Sequence, residues 1–106
     1  MNEVEGKVLD AIDVEELLTT ISKLIEIPSV TGEEAKAQRF VASLMREIGL
    51  EVDMWNIDLK ALRKHPDFSM EVDRKEGIGV VGRAGRGKGR SLILNGHTDV
   101  VSPGDE

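Results

Sequence analysis

The sequence contains no cysteine and only three aromatic residues among its 106 positions. The absence of cysteine excludes disulfide bonds, thiolate metal sites and cysteine nucleophiles, and it fits a reducing compartment such as the cytoplasm. Because aromatic side chains are few, aliphatic residues must supply most of the core. No apolar run reaches the length of a signal peptide or a membrane-spanning helix. We therefore expect a soluble, cytoplasmic protein.

The charge balance narrows the possible partners. The chain carries 20 acidic and 14 basic residues, which gives a net charge of −6. Nucleic acids and anionic membranes both select a basic face, so neither is an expected partner. Hydrophobic residues make up 40% of the chain, and this share is typical of a folded domain rather than a disordered segment. The length has room for one small domain.

Two segments have the apolar spacing of amphipathic helices. The first covers residues 13–25, with Asp13 as its candidate N-cap. The second is predicted to begin at Thr31, because Thr31 and Glu34 match the capping box T-x-x-E. Gly49 suits the left-handed position that ends such a helix.

Three segments are typical of β-strands. Residues 51–56 alternate in polarity, and residues 78–82 form a short apolar run. Between them, residues 58–64 could form a short helix. A glycine-rich, basic connector at 83–90 precedes a compact apolar strand at 91–95, whose unbroken Leu-Ile-Leu centre predicts burial on both faces. The order of two helices and then three strands predicts the opening segment of an α/β domain.

Two glycine motifs raise a nucleotide-binding alternative. Residues 77–82 match G-x-G-x-x-G, and residues 82–88 match the first seven places of the P-loop pattern. Both mechanisms need a helix whose first amides meet the phosphates, and no helix is predicted after either motif. In addition, Gly89 stands where the P-loop needs a hydroxyl for Mg²⁺. A glycine-bounded strand followed by a connector is the favoured interpretation of residues 77–90.

The chemically most informative segment follows the last predicted strand. His97 and Asp99 come directly after it, and active sites of open α/β sheets lie beyond the carboxyl ends of strands. Neutral imidazole is a common zinc ligand, and a carboxylate often accepts a hydrogen bond from its second nitrogen. Asp99 could supply that carboxylate, and Gly96 allows a tight turn before the histidine.

The run Leu94–Val101, LNGHTDVV, resembles the first metal motif of the M20 family of metallopeptidases, which includes acetylornithine deacetylase and succinyl-diaminopimelate desuccinylase. The run Leu24–Glu34, LIEIPSVTGEE, is similar to the opening segment of the same family. Both landmarks occur in the expected order, so the resemblance extends from about Val14 to the end of the chain. Ser102, which stands before Pro103, departs from the usual pattern after the valine pair.

The resemblance implies a zinc-exopeptidase-type, three-layer α/β catalytic domain with two zinc ions, for which cobalt or manganese can substitute. It implies that His97 is a metal ligand and that Asp99 orients it. The other ligands and the general base would lie downstream, so residues 1–106 would be the amino-terminal part of the catalytic domain. The remainder, with any lid or dimerisation domain, would be absent. His65, in a charged His-Pro loop, is expected to have a surface role.

The resulting hypothesis is an amino-terminal fragment of a zinc-dependent, acetylornithine deacetylase-like hydrolase that cleaves amide bonds of N-acyl amino acids or peptides. The fragment alone should bind zinc poorly and be inactive. An open edge of the 91–95 strand predicts self-association. A nucleotide-binding module built on residues 77–90 and a non-catalytic interaction domain are the alternatives.

Overall fold

The computed structural model describes residues 1–104. It contains helices and one small sheet, in agreement with the predicted mixture of α and β structure. The elements are, in chain order, α1 (Glu3–Asp10), α2 (Val14–Ile25), α3 (Ala35–Glu47), β1 (Glu51–Asn56), α4 (Leu59–Leu62) and β2 (Ile78–Arg83). No helix in this part of the chain is both long and apolar enough to cross a bilayer.

The first helix, α1, was not predicted. Asn2 caps it with a complete capping box: its side chain accepts from the backbone N–H of Glu5, and the Glu5 carboxylate accepts from that of Asn2. An ion pair from Lys7 to Glu3 spans one turn at 2.6 Å. Local capping and charge pairing therefore form a helix whose apolar spacing is too short to stand out in the sequence.

Helix α2 begins where the sequence predicts. The Asp13 carboxylate accepts from the backbone N–H of Glu16 at 2.9 Å, as an N-cap should. Its apolar stripe is present but is not buried, since Leu17, Leu18 and Ile21 remain 42 to 58% exposed.

The second predicted helix begins at Ala35, four residues later than expected. Its N-cap, Glu34, makes no side-chain capping bond, and the Thr31 hydroxyl instead donates to a carboxylate much later in the chain. The helix ends as predicted: Gly49 has φ +85°, and the N–H groups of Gly49 and Leu50 return to the carbonyls of Arg46 and Met45. These two bonds form a Schellman motif.

Strands β1 and β2 form an antiparallel pair in which Glu51 faces Arg83 and Asn56 faces Ile78. Helix α3 packs on this pair. The chain between the strands, residues 57–77, holds the predicted short helix α4 and then a turn at residues 65–67. Position 79 has no room for a side chain, because the Trp55 ring covers Gly79 and a Cβ there would lie 2.2 Å from Cζ2 of the ring.

The core is small. The buried apolar residues of the described chain are three alanines of α3, at positions 35, 37 and 42, together with Ile78. The larger side chains of α3, such as Phe40, Leu44 and Met45, are only partly covered. Most of the apolar surface that the sequence provides for packing therefore remains open.

The predicted buried strand at 91–95 is wrong for the described structure. These residues have no regular secondary structure, and Leu92, Ile93 and Leu94 are 82 to 88% exposed. A strand needs a neighbour to satisfy its backbone groups, and none of the described residues pairs with this segment. The predicted order of two helices and three strands is therefore replaced by four helices and two strands in residues 1–104.

Candidate metal-binding site

The two motif segments of the sequence meet in the structure. Val30 and Val100 form an isolated parallel β-bridge. The N–H of Val100 donates to the Ser29 carbonyl at 3.0 Å, and the N–H of Thr31 donates to the Val100 carbonyl at 3.1 Å. The bridge places the segment that precedes α3 directly beside the His97 segment.

Ser29 fastens the same contact with its side chain. Its hydroxyl donates to the carbonyl of Thr98 at 2.8 Å, and the residue is 7% exposed. The buried Ser29 hydroxyl has its hydrogen-bond partner because Thr98 supplies a carbonyl acceptor. The backbone is thereby held at Thr98 and at Val100, one residue on each side of Asp99.

The His97 ring faces the Asp99 carboxylate. Nδ1 of His97 lies 2.7 Å from Oδ1 of Asp99 and 3.2 Å from the Asp99 carbonyl oxygen. If Nδ1 carries the proton and donates, Nε2 of a neutral ring keeps the lone pair that a metal requires. The His97 side chain is 82% exposed, so Nε2 is open to a ligand.

Asp99 is itself held by Thr31. The Thr31 hydroxyl lies 3.2 Å from Oδ2 of Asp99, on the carboxylate oxygen that His97 does not use. Partial loss of water around Asp99 would raise its pKa, but the hydrogen bonds from His97 and Thr31 together outweigh this effect. The pKa of Asp99 is therefore lowered, and the carboxylate stays charged beside the histidine.

A cleft of about 210 Å³ lies at this pair, and Gly96 to Asp99 are among its lining residues. Glu34 and Arg74 also line the cleft, and their carboxylate and guanidinium are 3.1 Å apart. Glu34 also accepts from the N–H of Gly32 at 2.9 Å. Nε of Arg74 is buried and has no hydrogen-bond partner among residues 1–104. This ion pair links residues 57–77, between β1 and β2, to the segment 29–34, which includes Thr31, the residue bound to Asp99.

Glu76 also lines the cleft, and Arg39 binds it in bidentate fashion at 2.8 and 3.2 Å. The hydrogen bonds from Arg39 lower the pKa of Glu76, and those to Glu76 raise the pKa of Arg39. The two glutamates that line the cleft with His97, Glu34 and Glu76, are therefore already paired with arginines.

The described residues fit one metal ligand with its orienting group rather than a whole metal site. Among residues 1–104, no three histidine, aspartate or glutamate side chains are gathered as a metal would require, whereas a catalytic zinc takes about three protein ligands. His65 does not line the cleft: it lies in the turn after α4, where its Nδ1 accepts from the N–H of Asp67 at 3.2 Å.

The glycine motifs lie away from any helix start in the described chain. Residues 77–82 run into and along β2, as the glycine-bounded strand interpretation predicts, and residues 84–90 are exposed and have neither helix nor strand. Nothing in their conformation presents helix amides to a phosphate.

Sequence reasoning identified His97 and Asp99 but not the residues that support them. Ser29 and Thr31 belong to the IPSVTGEE segment, whose importance was inferred from the resemblance and not from any expected contact. Thr31 and Glu34 were assigned to a capping box, yet Thr31 donates to Asp99 and Glu34 pairs with Arg74. The sequence carried no signal that these two segments would contact each other.

The chain is similar to two succinyl-diaminopimelate desuccinylases. The enzyme of that name from Methylocella silvestris is 36% identical over 83 residues, which cover 78% of this chain and 18% of the relative. The one from Leptothrix cholodnii is 34% identical over 87 residues, which cover 82% of this chain and 20% of the relative. The chain therefore spans about a fifth of the length of these curated relatives.

No family model matches the chain, and no solved structure matches it. Succinyl-diaminopimelate desuccinylase is one of the M20 enzymes that the sequence resembles, so the two relatives support that resemblance. Their names also agree with the predicted class of amide hydrolase. Both relatives are named as desuccinylases, and neither tests the acetylornithine deacetylase-like relationship that the sequence suggested.

Proposed function

We propose that this chain is the amino-terminal part of a zinc-dependent hydrolase that removes an acyl group, such as succinyl, from the nitrogen of an amino acid. The observation that carries this proposal is the hydrogen-bonded series Thr31, Asp99, His97, formed where the two motif segments meet. The similarity to two desuccinylases supplies the reaction class.

In this proposal the residues of the chain prepare one arm of the metal site. Asp99 accepts from Nδ1 of His97 and so fixes the tautomer with Nε2 free, and Thr31 holds Asp99 in turn. His97 would bind zinc through Nε2. Zinc, when bound, lowers the pKa of a bound water to about 7 and polarises an amide carbonyl. The further ligands and the general base would come from outside residues 1–104.

The proposal predicts different behaviour for the chain alone and for the longer protein. Alone, the chain should neither bind zinc tightly nor hydrolyse amides, because one histidine does not make a catalytic zinc site. Calorimetric titration with zinc tests this: tight binding with one-to-one stoichiometry would show that the site is complete and would contradict the proposal.

The activity is tested in a protein that carries this chain together with the rest of the length of its relatives. Release of free amine from N-succinyl-diaminopimelate and from N-acetylornithine should depend on zinc and should be lost in His97→Ala. His65→Ala is the matched control and should keep the activity. A folded, zinc-loaded protein that hydrolyses neither compound, or one that tolerates His97→Ala, would refute the assignment.

A further inference from the structure

The segment 29–34 holds the His97 segment, yet it has no regular secondary structure of its own. Apart from the isolated bridge at Val30, it consists of turns and irregular chain. Within it, the N–H of Glu33 returns to the Val30 carbonyl at 2.8 Å. A turn with so few internal bonds opens readily unless other parts of the fold hold it closed. Whatever supports this segment from outside therefore also supports its contacts to Asp99.

Residues 72–74 lie directly against this segment. A Cβ at Gly32 would lie 2.9 Å from Cγ2 of Val72 and 3.3 Å from the carbonyl oxygen of Asp73. This spacing leaves little room for a side chain at position 32. The backbone of the turn therefore rests on the chain that leads into β2.

An ion pair reinforces this contact at Arg74. Nη2 of Arg74 lies 3.1 Å from Oε1 of Glu34, and the same oxygen accepts from the N–H of Gly32 at 2.9 Å. The two side chains are 25 and 18% exposed, which makes this the least exposed ion pair of the described chain. Water and salt screen such a pair less than an exposed one, such as that of Arg83 and Glu51. One carboxylate oxygen thus joins a partly buried guanidinium to the backbone of the turn.

The chain around Arg74 is itself anchored. Arg39, on α3, binds Glu76 in bidentate fashion at 2.8 and 3.2 Å. The N–H of Ile57 donates to the Gly77 carbonyl at 2.8 Å, which closes the loop between β1 and β2. Arg74 therefore reaches the turn from a support that is fixed on the helix and on the sheet.

We propose that Arg74 is a positioning residue for the His97 arm of the site. By pairing with Glu34, it fixes the turn that carries Thr31. The Thr31 hydroxyl then holds the Asp99 carboxylate at 3.2 Å, and Asp99 orients the His97 ring at 2.7 Å. A guanidinium has no lone pair for a metal, so Arg74 acts through these contacts and not as a ligand. Its effect on zinc and on catalysis rests on the proposed function, whereas its effect on the turn and on the His97 ring does not.

Arg74→Met tests the proposal in the 106-residue chain, because it removes the guanidinium and keeps an apolar side chain of similar reach. The N–H of Thr31 donates to the Val100 carbonyl at 3.1 Å. Its hydrogen exchange should accelerate at least about tenfold, as expected when a hydrogen bond between charged groups is lost. Nitrogen NMR of the neutral His97 ring should show a smaller fraction of the Nδ1–H tautomer. Arg83→Met, which removes an exposed ion pair elsewhere, is the matched control and should change neither measurement.

Glu34→Gln tests whether Arg74 acts through Glu34. The amide keeps an oxygen that can accept from the N–H of Gly32, but it removes the charge that attracts the guanidinium. In this background Arg74→Met should accelerate Thr31 exchange by less than about threefold, because both changes break one contact. Arg74→Lys keeps the charge and should lie closer to the wild type than Arg74→Met does. Circular dichroism identifies a variant that fails to fold; should Arg74→Met be one, Glu34→Gln alone should still accelerate Thr31 exchange and lower the Nδ1–H fraction.

The longer protein tests the consequence for the metal site. Arg74→Met should lower zinc affinity and kcat about tenfold, at the lower end of the range seen when groups that orient metal ligands are removed. KM should stay within about threefold of the wild type, because the proposal gives Arg74 no contact with the substrate. A higher KM with unchanged kcat and zinc affinity would show that Arg74 binds the substrate instead, and would overturn the proposal.

Three results in the chain would also overturn it: a wild-type rate of Thr31 exchange in Arg74→Met, faster exchange with an unchanged His97 tautomer, or equal effects of Arg83→Met. A full tenfold effect of Arg74→Met in the Glu34→Gln background would refute the assigned route. A folded, zinc-loaded longer protein without activity would refute the proposed function and leave these measurements on the chain unaffected.

Discussion

Ser29→Ala should loosen the contact between the two motif segments without disturbing the rest of the fold. The substitution removes the hydroxyl that donates to the Thr98 carbonyl at 2.8 Å and leaves the backbone bridge in place. A neutral hydrogen bond of this kind contributes about 1 kcal/mol to stability. Thr98 is only partly buried, so the cost should stay near this value. The segment should then open about five times more often.

Amide hydrogen exchange of Val100 measures this opening directly, because its N–H donates to the Ser29 carbonyl at 3.0 Å. When closing is fast, the exchange rate rises by the same factor as the opening equilibrium, here about fivefold. Ser43→Ala is the matched control: it removes a hydroxyl that donates to the Phe40 carbonyl at 2.8 Å, within α3.

The control should leave Val100 exchange unchanged. If Ser29→Ala leaves the Val100 exchange rate unchanged, or if Ser43→Ala raises that rate equally, the Ser29 hydroxyl does not stabilise the contact between the two motif segments.

Further predictions concern pH and packing. The pKa of Asp99 is lowered in the folded chain. The ionised carboxylate therefore stabilises the fold at pH values above the pKa of an unfolded aspartate. This stabilisation is lost as the pH falls through the lowered pKa. Carboxyl carbon NMR should show the low pKa and its increase in Thr31→Val; an ordinary pKa in the wild type would contradict the hydrogen bonding described. Gly79→Ala should destabilise the strand pair by about 1–2 kcal/mol, because the new Cβ meets the Trp55 ring. Urea unfolding followed by Trp55 fluorescence should show this loss and only a small effect of Gly77→Ala, where the nearest atoms are 3.4 Å away; equal effects would mean that the ring does not cover Gly79.

Features set by neighbouring residues could be predicted from the sequence. The Asp13 cap, the left-handed Gly49 and both strands of the pair depend on capping, backbone conformation and alternation of polarity, which act within a few residues. Helix α1 was missed because it is only eight residues long, so its apolar residues are too few to show a clear helical period.

Features set by distant partners could not be predicted in the same way. Thr31 and Glu34 match a capping box, but a carboxylate from residue 99 and a guanidinium from residue 74 compete for their side chains. The apolar run Leu92–Leu94 has the composition of a buried strand, yet no described residue pairs with it. Composition indicates what a segment could bury but not whether a neighbour is present.

His97 and Asp99 were identified from their position after a predicted strand and from a resemblance, and the structure adds the contacts that bring their side chains together. The adjacency of their side chains, at 2.7 Å, depends on the bridge from Val100 to Val30 and on the Thr31 hydroxyl. Neither contact is visible in the HTD pattern itself. Their roles as metal ligand and orienting group remain predictions.

In the proposed site, His97 binds zinc through Nε2 while its Nδ1 donates to Asp99. Imidazole nitrogen NMR of the chain, recorded during a zinc titration, tests it most directly. We predict that His97 is in the Nδ1–H tautomer before zinc is added and that its Nε2 resonance shifts at lower zinc concentrations than either nitrogen of His65. A His97 ring in the opposite tautomer, or zinc-induced shifts no larger than those of His65, would contradict the claim.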